Sequence, residues 1–433
     1  TGINAASSGD TVSVAAGTYV ENINFRGRNI KVVGADQETT IIDGGANGYV
    51  ATFPELSGTP SYILEGFTIQ NGYAQNSGGW ENAGGGGIMA GTGNIHLERL
   101  LIKDNVGSFA AAIWSNKSTI TMNKLTVINN SNGASDDNSG TIFINAGSNI
   151  NIVNSFIDDN ELRPIISYGY NDPNTISVSY SVLDGGQDSI VTNDNATITW
   201  GDGNIDVDPM FVDTANGNYH LLASSQLINA GHPDSTDSDG TRSDIGAYPY
   251  LNNYSGPDWF VSESGNDTTA TGASGNPFRS IQAALNFGSD DNTAYVSSGI
   301  YNEHLIYRFD QSEPIRSVSL IGENKETTII DGNQAGIVVD LPNGGSSGIL
   351  IEGFTIRNGY ANGEMGNYGS FNQGAGIHVG HNYDPVYLSD LIIENCTAVS
   401  GGAGGVGGGI FSENSSLELS NVQINNKDRK SVV

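Results

Sequence analysis

Three apolar positions at spacing i, i+3 and i+5 recur down this chain. They are Leu64, Phe67, Ile69; Leu97, Leu100, Ile102; and Met122, Leu125, Val127. Looser copies follow as Ile152, Ser155, Ile157 and Val178, Ser181, Leu183. The pattern returns as Ile351, Phe354, Ile356; Leu388, Leu391, Ile393; and Leu419, Val422, Ile424. Two residues after each set stands a polar residue or glycine: Asn71, Asp104, Asn129, Asp159, Gly185, Asn358, Asn395 and Asn426. Such a pattern predicts short strands with apolar side chains inward and polar ones outward. Tight bends would separate them, because Gly and Asn tolerate left-handed backbone. Successive coils would stack about 4.8 Å apart, with apolar ladders and Asn ladders along the axis. Leu64, Leu97, Met122, Ile152 and Val178 are expected to share one internal column.

A longer repeat is superimposed on the short one. Glu38-Thr-Thr-Ile-Ile-Asp-Gly44 recurs unchanged as Glu326 to Gly332, and Glu65-Gly-Phe-Thr-Ile69 as Glu352 to Ile356. Two tandem copies of one module are therefore expected. The first would span residues 1–250, with its N-terminal cap missing, and 251–258 would be a linker. The second would span 259–427 and be truncated at its C-terminal side. After Asn426 the pattern stops and Lys427-Asp-Arg-Lys430 brings in three basic residues, so 428–433 is read as an artefactual, unpacked tail. Leu97-x-x-Leu100-x-Ile102-x-x-Asn105 also fits a leucine-rich repeat. That repeat needs a helical return, and here the returns are glycine runs such as Gly84 to Gly87 and Gly401 to Gly409, which disfavour helix. The expected fold is all-β, a right-handed parallel β-helix (solenoid) in two tandem copies, both incomplete.

Composition narrows the partners. Seventeen Lys and Arg face 47 Asp and Glu, a formal charge of -30. That surface repels phosphate backbones, so no nucleic-acid partner is expected. It also opposes an anionic polymer unless cations bridge it. A single cysteine, Cys396, forbids an intrachain disulfide, and no apolar run approaches the length of a membrane span.

The chain resembles the pectate-lyase-like superfamily of right-handed parallel β-helix proteins. Gly85 to Ile88, Gly407 to Ile410 and Phe67-Thr-Ile-Gln-Asn71 look like polymorphic outer-membrane-protein repeats. Trp259 to Asp267, followed by Asn276 to Leu285, resembles the opening strand and capping helix of bacterial extracellular members, and Asp206 to Phe211 through Asp244 to Ala247 resembles their closing segment. The resemblance implies an exported bacterial protein, extracellular or on the outer surface. It does not imply one chemistry, since the superfamily mixes lyases, hydrolases, epimerases and adhesins.

For chemistry, a uronate lyase needs a base and a carboxylate neutraliser, and a hydrolase needs two carboxylates. Lys103, Asp104, Asp158 and Asp159 form the best such cluster, interrupted by Ile128. The bland alternative is a solvated face of capped bends. Trp80 and Trp114, in or beside the glycine-rich returns, and Tyr73 and Tyr360, after bends, are candidate platforms for sugar rings; packing over bend ends is the alternative. Asp234, Asp237 and Asp239 alternate before Gly240 like a Ca²⁺ loop, though without the terminal Glu of an EF-hand, and an Asp-rich turn is the alternative. None of the six histidines shows metal spacing. The expected function is adhesion or glycan binding, with a cell-surface glycan or other polysaccharide as partner. A polysaccharide lyase or glycoside hydrolase and a structural spacer are the alternatives.

Overall fold

A computed structural model describes residues 2–74, 86–132, 139–158, 160–169, 172–193, 195–307, 316–342, 348–361, 374–381, 385–399 and 407–425. The chain divides into two compact units. One comprises Thr1–Asp208 with Asn229–Pro249, the other Pro209–Ile228 with Tyr250–Val433.

The first unit is built from parallel sheets whose neighbouring strands are successive turns of the chain. One sheet runs Thr11–Val14, Lys31–Gly34, Ser61–Gln70, Gly93–Lys103, Ser118–Asn123, Asn149–Val153, Asn174–Ser179 and Ala196–Trp200. A second runs from Ile23–Asn24 through Ala51–Phe53, Ile88–Ala90, Ala110–Asn116, Gly140–Asn145 and Arg163–Tyr168 to Val191–Thr192. A third, short one joins Tyr73–Ala74, Val106–Gly107 and Ser131–Asn132. This connectivity is consistent with a β-helix. Leu64 pairs with Leu97, Leu97 with Met122, Met122 with Ile152, and Ile152 with Val178. All five are fully buried, so the expected internal column is present.

Backbone conformation explains the i, i+3 spacing. Residues i and i+3 of a regular strand point to opposite faces. Here Gly66, Arg99, Lys124, Asn154 and Tyr180 lie between them with φ from 48° to 76°. One left-handed residue turns the chain and brings both apolar side chains inward. The second bend uses Asn71, Asp104 and Asn129, with φ of 56°, 53° and 56°. The buried asparagine ladder stands one residue beyond those positions. Asn105 Nδ2 donates to Asn130 Oδ1 at 3.0 Å, and Asn130 Nδ2 to Asn160 Oδ1 at 3.0 Å. Their amides also reach the carbonyls of Ile69 and Ile102 on the preceding coil.

The second unit repeats this construction. Asp258–Val261, Thr293–Val296, Ser319–Gly322, Leu350–Glu352 and Val386–Glu394 pair in parallel, in that order. Leu320, Ile351 and Leu388 share one buried row, which Leu419 extends to a surface position 55% exposed. The helix Ile281–Phe287, whose residues are all buried, packs its Phe287 ring against Trp259 and Phe278. The hairpin Phe211–Asp213/Asn218–Leu221 lies in this unit, and Asn286 Nδ2 holds the carbonyls of Ala223 and Ser225 at 3.0 and 2.8 Å.

Candidate functional site

The bends of the first unit form an open groove of about 340 Å³ lined by Asp43, Asn71, Tyr73, Asp104 and Val106, floored by Gly45, Ala46 and Gly72. Parallel register builds it. Asp43, Gln70 and Lys103 pair successively along one column, while Tyr73 pairs with Val106 along the next sheet. Asp43 Oδ2 accepts hydrogen bonds from Gln70 Nε2 at 2.9 Å and Asn71 Nδ2 at 2.7 Å, and Oδ1 accepts from the Gly45 amide at 2.9 Å. Burial works to raise the Asp43 pKa. The bonds from Gln70, Gly45 and Asn71, with the Lys103 charge nearby, outweigh it and hold the carboxyl below its ordinary value. Lys103 Nζ bonds Asp104 Oδ2 at 2.6 Å. Tyr73 is 38% exposed.

The groove thus unites Tyr73 and Asp104 with Asp43, which sequence reasoning did not single out, and Lys103 reaches it through its bond to Asp104. Its signal was available: Asp43 is the aspartate of the motif repeated unchanged at Asp331. In the second unit Asp331 takes Arg357 Nε at 2.7 Å and Asn358 Nδ2 at 2.9 and 3.0 Å, with Tyr360 two residues beyond Asn358.

Other expected residues are not brought together. Lys103 pairs with Ile128, and the Asp158 amide bonds the Val127 carbonyl, which sets Lys103 and Asp158 two strands apart, about 10 Å by strand spacing. Ile128 between them is buried. Asp159 and Trp80 lie outside the described residues. Trp114 is only 8% exposed, in a cluster with Ala110, Phe143 and Ile166, so its ring is occupied by packing rather than open as a platform. Among the described residues no group of three or more His, Cys, Asp or Glu side chains is arranged to hold a metal ion. Asp234, Asp237 and Asp239 do not converge. Asp237 pairs with Lys124 at 2.8 Å and accepts the Asp244 amide at 2.8 Å, while Asp239 accepts the amide and hydroxyl of Thr241. The Asp-rich stretch is a set of turn contacts that anchors Lys124.

One histidine is buried against a carboxylate. His378, 2% exposed, bonds Asp340 Oδ1 through Nδ1 at 2.6 Å and stacks on Phe411 with ring centroids 5.8 Å apart. Nothing in the sequence signals this pair, because its members sit on neighbouring strands 38 residues apart. No helix among the described residues is long and apolar enough to cross a membrane.

No protein-family model matches the chain, and neither does any curated protein. Among solved structures it is similar to a PL6 family alginate lyase, AlyGC, at 12% identity and a TM-score of 0.19, over 99% of this chain and 88% of that one. A mutant of the same lyase gives 10% identity and a TM-score of 0.17, over 99% and 96%. Similarity at those TM-scores supports no inference about this chain's site or chemistry.

Proposed function

We propose that this protein binds polysaccharide, as a cell-surface or secreted bacterial protein made of two tandem right-handed parallel β-helix copies. The observation that carries the reading is the bend groove, where the exposed Tyr73 ring stands beside the carboxylates of Asp43 and Asp104. A sugar ring offers an apolar C–H face and a rim of hydroxyls. An aromatic ring takes the first, worth about 0.5–1.5 kcal/mol beyond area burial, and oriented carboxylates and amides take the second. Tyr360, Asp331 and Asn358 supply the same residue types in the second unit, so one chain carries two weak sites that gain through avidity. The separation of Lys103 from Asp158, and the engagement of Lys103 with Asp104, favour binding over cleavage.

The test is a panel of neutral and acidic polysaccharides assayed twice, for retention of the protein on immobilised glycan and for new reducing ends or unsaturated products. Retention without cleavage, weakened by Tyr73→Ala, is expected. Cleavage abolished by Lys103→Ala would replace this reading with a lyase or hydrolase, and neither retention nor cleavage would leave a structural spacer.

A further inference from the structure

The second unit holds a larger cavity, about 430 Å³, beside the start of the helix Ile281–Phe287 and lined in part by the 209–228 segment. Its lining combines unspent polar groups with open apolar ones. The Arg279 side chain lines it and makes no hydrogen bond or ion pair with any described residue. Ser280 Oγ is buried in the same wall and lacks a hydrogen-bond partner. An unmade hydrogen bond of this kind leaves the hydroxyl desolvated without compensation, which a ligand hydroxyl would relieve. Two carboxylates are each half used. Glu263 Oε1 accepts the Ile300 amide at 3.0 Å, and Asp267 Oδ1 accepts the amides of Arg279 and Ser280 at 2.8 and 3.1 Å. The other oxygen of each receives no bond from a described residue. Met210 and Ile300, 38% and 45% exposed, supply apolar surface at the same cavity.

We infer that this cavity is a binding site for a neutral sugar ring, separate from the bend grooves. Vicinal hydroxyls can donate to the free oxygens of Glu263 and Asp267 and accept from Arg279 and Ser280. The ring's C–H face can cover Met210 and Ile300. Three carboxylates, Glu263, Asp267 and Glu303, line the cavity with one guanidinium, which disfavours an anionic ligand. A purely apolar ligand would leave Arg279 and Ser280 unsatisfied.

The site can be tested on the full chain by saturation-transfer NMR with D-glucose, D-galactose, D-mannose and N-acetyl-D-glucosamine. A saturable signal from at least one sugar is expected. Measured in the Tyr73→Ala, Tyr360→Ala background, which removes the contribution of the bend grooves, a saturable signal should remain, and Arg279→Ala and Ile300→Ser should each weaken it at least about fivefold. Arg279→Lys, which keeps the charge and loses the planar fork, provides a milder variant if a truncation lowers the melting temperature, and it should also weaken binding. No saturable signal, or a signal retained in the folded Arg279 and Ile300 variants, overturns the inference. A signal lost only in the tyrosine variants assigns sugar binding to the bend grooves and likewise overturns it.

Discussion

Asp43, Gln70 and Lys103 form a column in the first unit, and Asp331, Arg357 and Glu394 form one in the second. Both begin with an aspartate held by a bend asparagine, yet their charges run in different order. In the first unit Asp43 has only neutral hydrogen-bond donors, and the cation lies one strand further on, turned to Asp104. In the second unit the cation is adjacent: Arg357 pairs with Asp331, whose side chain is 7% exposed. The interior is alike in both units, since Leu97 and Leu388 are each fully buried in apolar rows. A core can thus keep its pattern while the outer column is reworked, because outward side chains are not constrained by packing density. The second sheet differs too, at a row that is buried or half-buried in both units. Its paired row reads Met89, Trp114, Phe143 and Ile166 in the first unit, but Asp340, His378 and Phe411 in the second.

Core truncation should have the largest effect and should not distinguish the units. Leu97→Ala and Leu388→Ala are each expected to cost about 2–5 kcal/mol. Urea unfolding of both variants measures this, and a cost near zero for either would break the claim of a shared interior.

The aspartates should distinguish them. Asp331→Ala leaves Arg357 without its partner and is expected to cost about 2 kcal/mol, discounted from the full value for a buried pair because Arg357 is partly exposed. Asp43→Ala removes neutral hydrogen bonds at a more open site and should cost about 1 kcal/mol. Equal midpoint shifts for the two variants would contradict the difference drawn between the columns.

A separate effect concerns pH. Glu303, half-buried, accepts the amides of Ile281 and Gln282 at 2.9 Å each, yet burial raises its carboxyl from 4.5 to about 7. Between those values the folded state binds more protons than the unfolded one. The resulting stability is present below about pH 4.5 and is lost as pH rises towards 7. Asp43 and Asp331 act oppositely. Both are depressed, so their contribution is present above 3.8 and lost as pH falls below it. Melting temperatures measured from pH 4 to 8 should therefore show a decline across the Glu303 window that Glu303→Gln flattens. An unchanged slope in that variant would remove Glu303 as its cause.

The apolar rows were legible because burial imposes a period that a single sequence displays. Leu64, Leu97, Met122, Ile152 and Val178 could be aligned from spacing alone, and Asn71, Asp104 and Asn129 marked bends that do adopt left-handed backbone. The asparagine ladder was displaced by one residue, since bend formation and ladder bonding fall on different neighbours: Asp104 bends while Asn105 bonds. Sites were less legible because they join residues from separate coils. Tyr73 and Asp104 were both singled out, but for different roles, and their shared groove depends on a register that spacing does not specify. Trp114 was a candidate platform with packing as the alternative, and glycine-rich flanks do not reveal that it shares a buried cluster with Phe143 and Ile166. The Asp-rich stretch at 234–239 looked like a cation loop because the sequence does not show Lys124 arriving there as a partner.

The most direct test of the central claim is retention on the best-binding polysaccharide for the wild type, Tyr73→Ala, Tyr360→Ala and the double variant. Each single truncation should weaken binding by about 0.5–1.5 kcal/mol, and the double variant should lose the avidity of paired sites and elute with a non-binding control. A folded double variant retained as strongly as the wild type would show that the bend grooves are not where this protein meets its glycan.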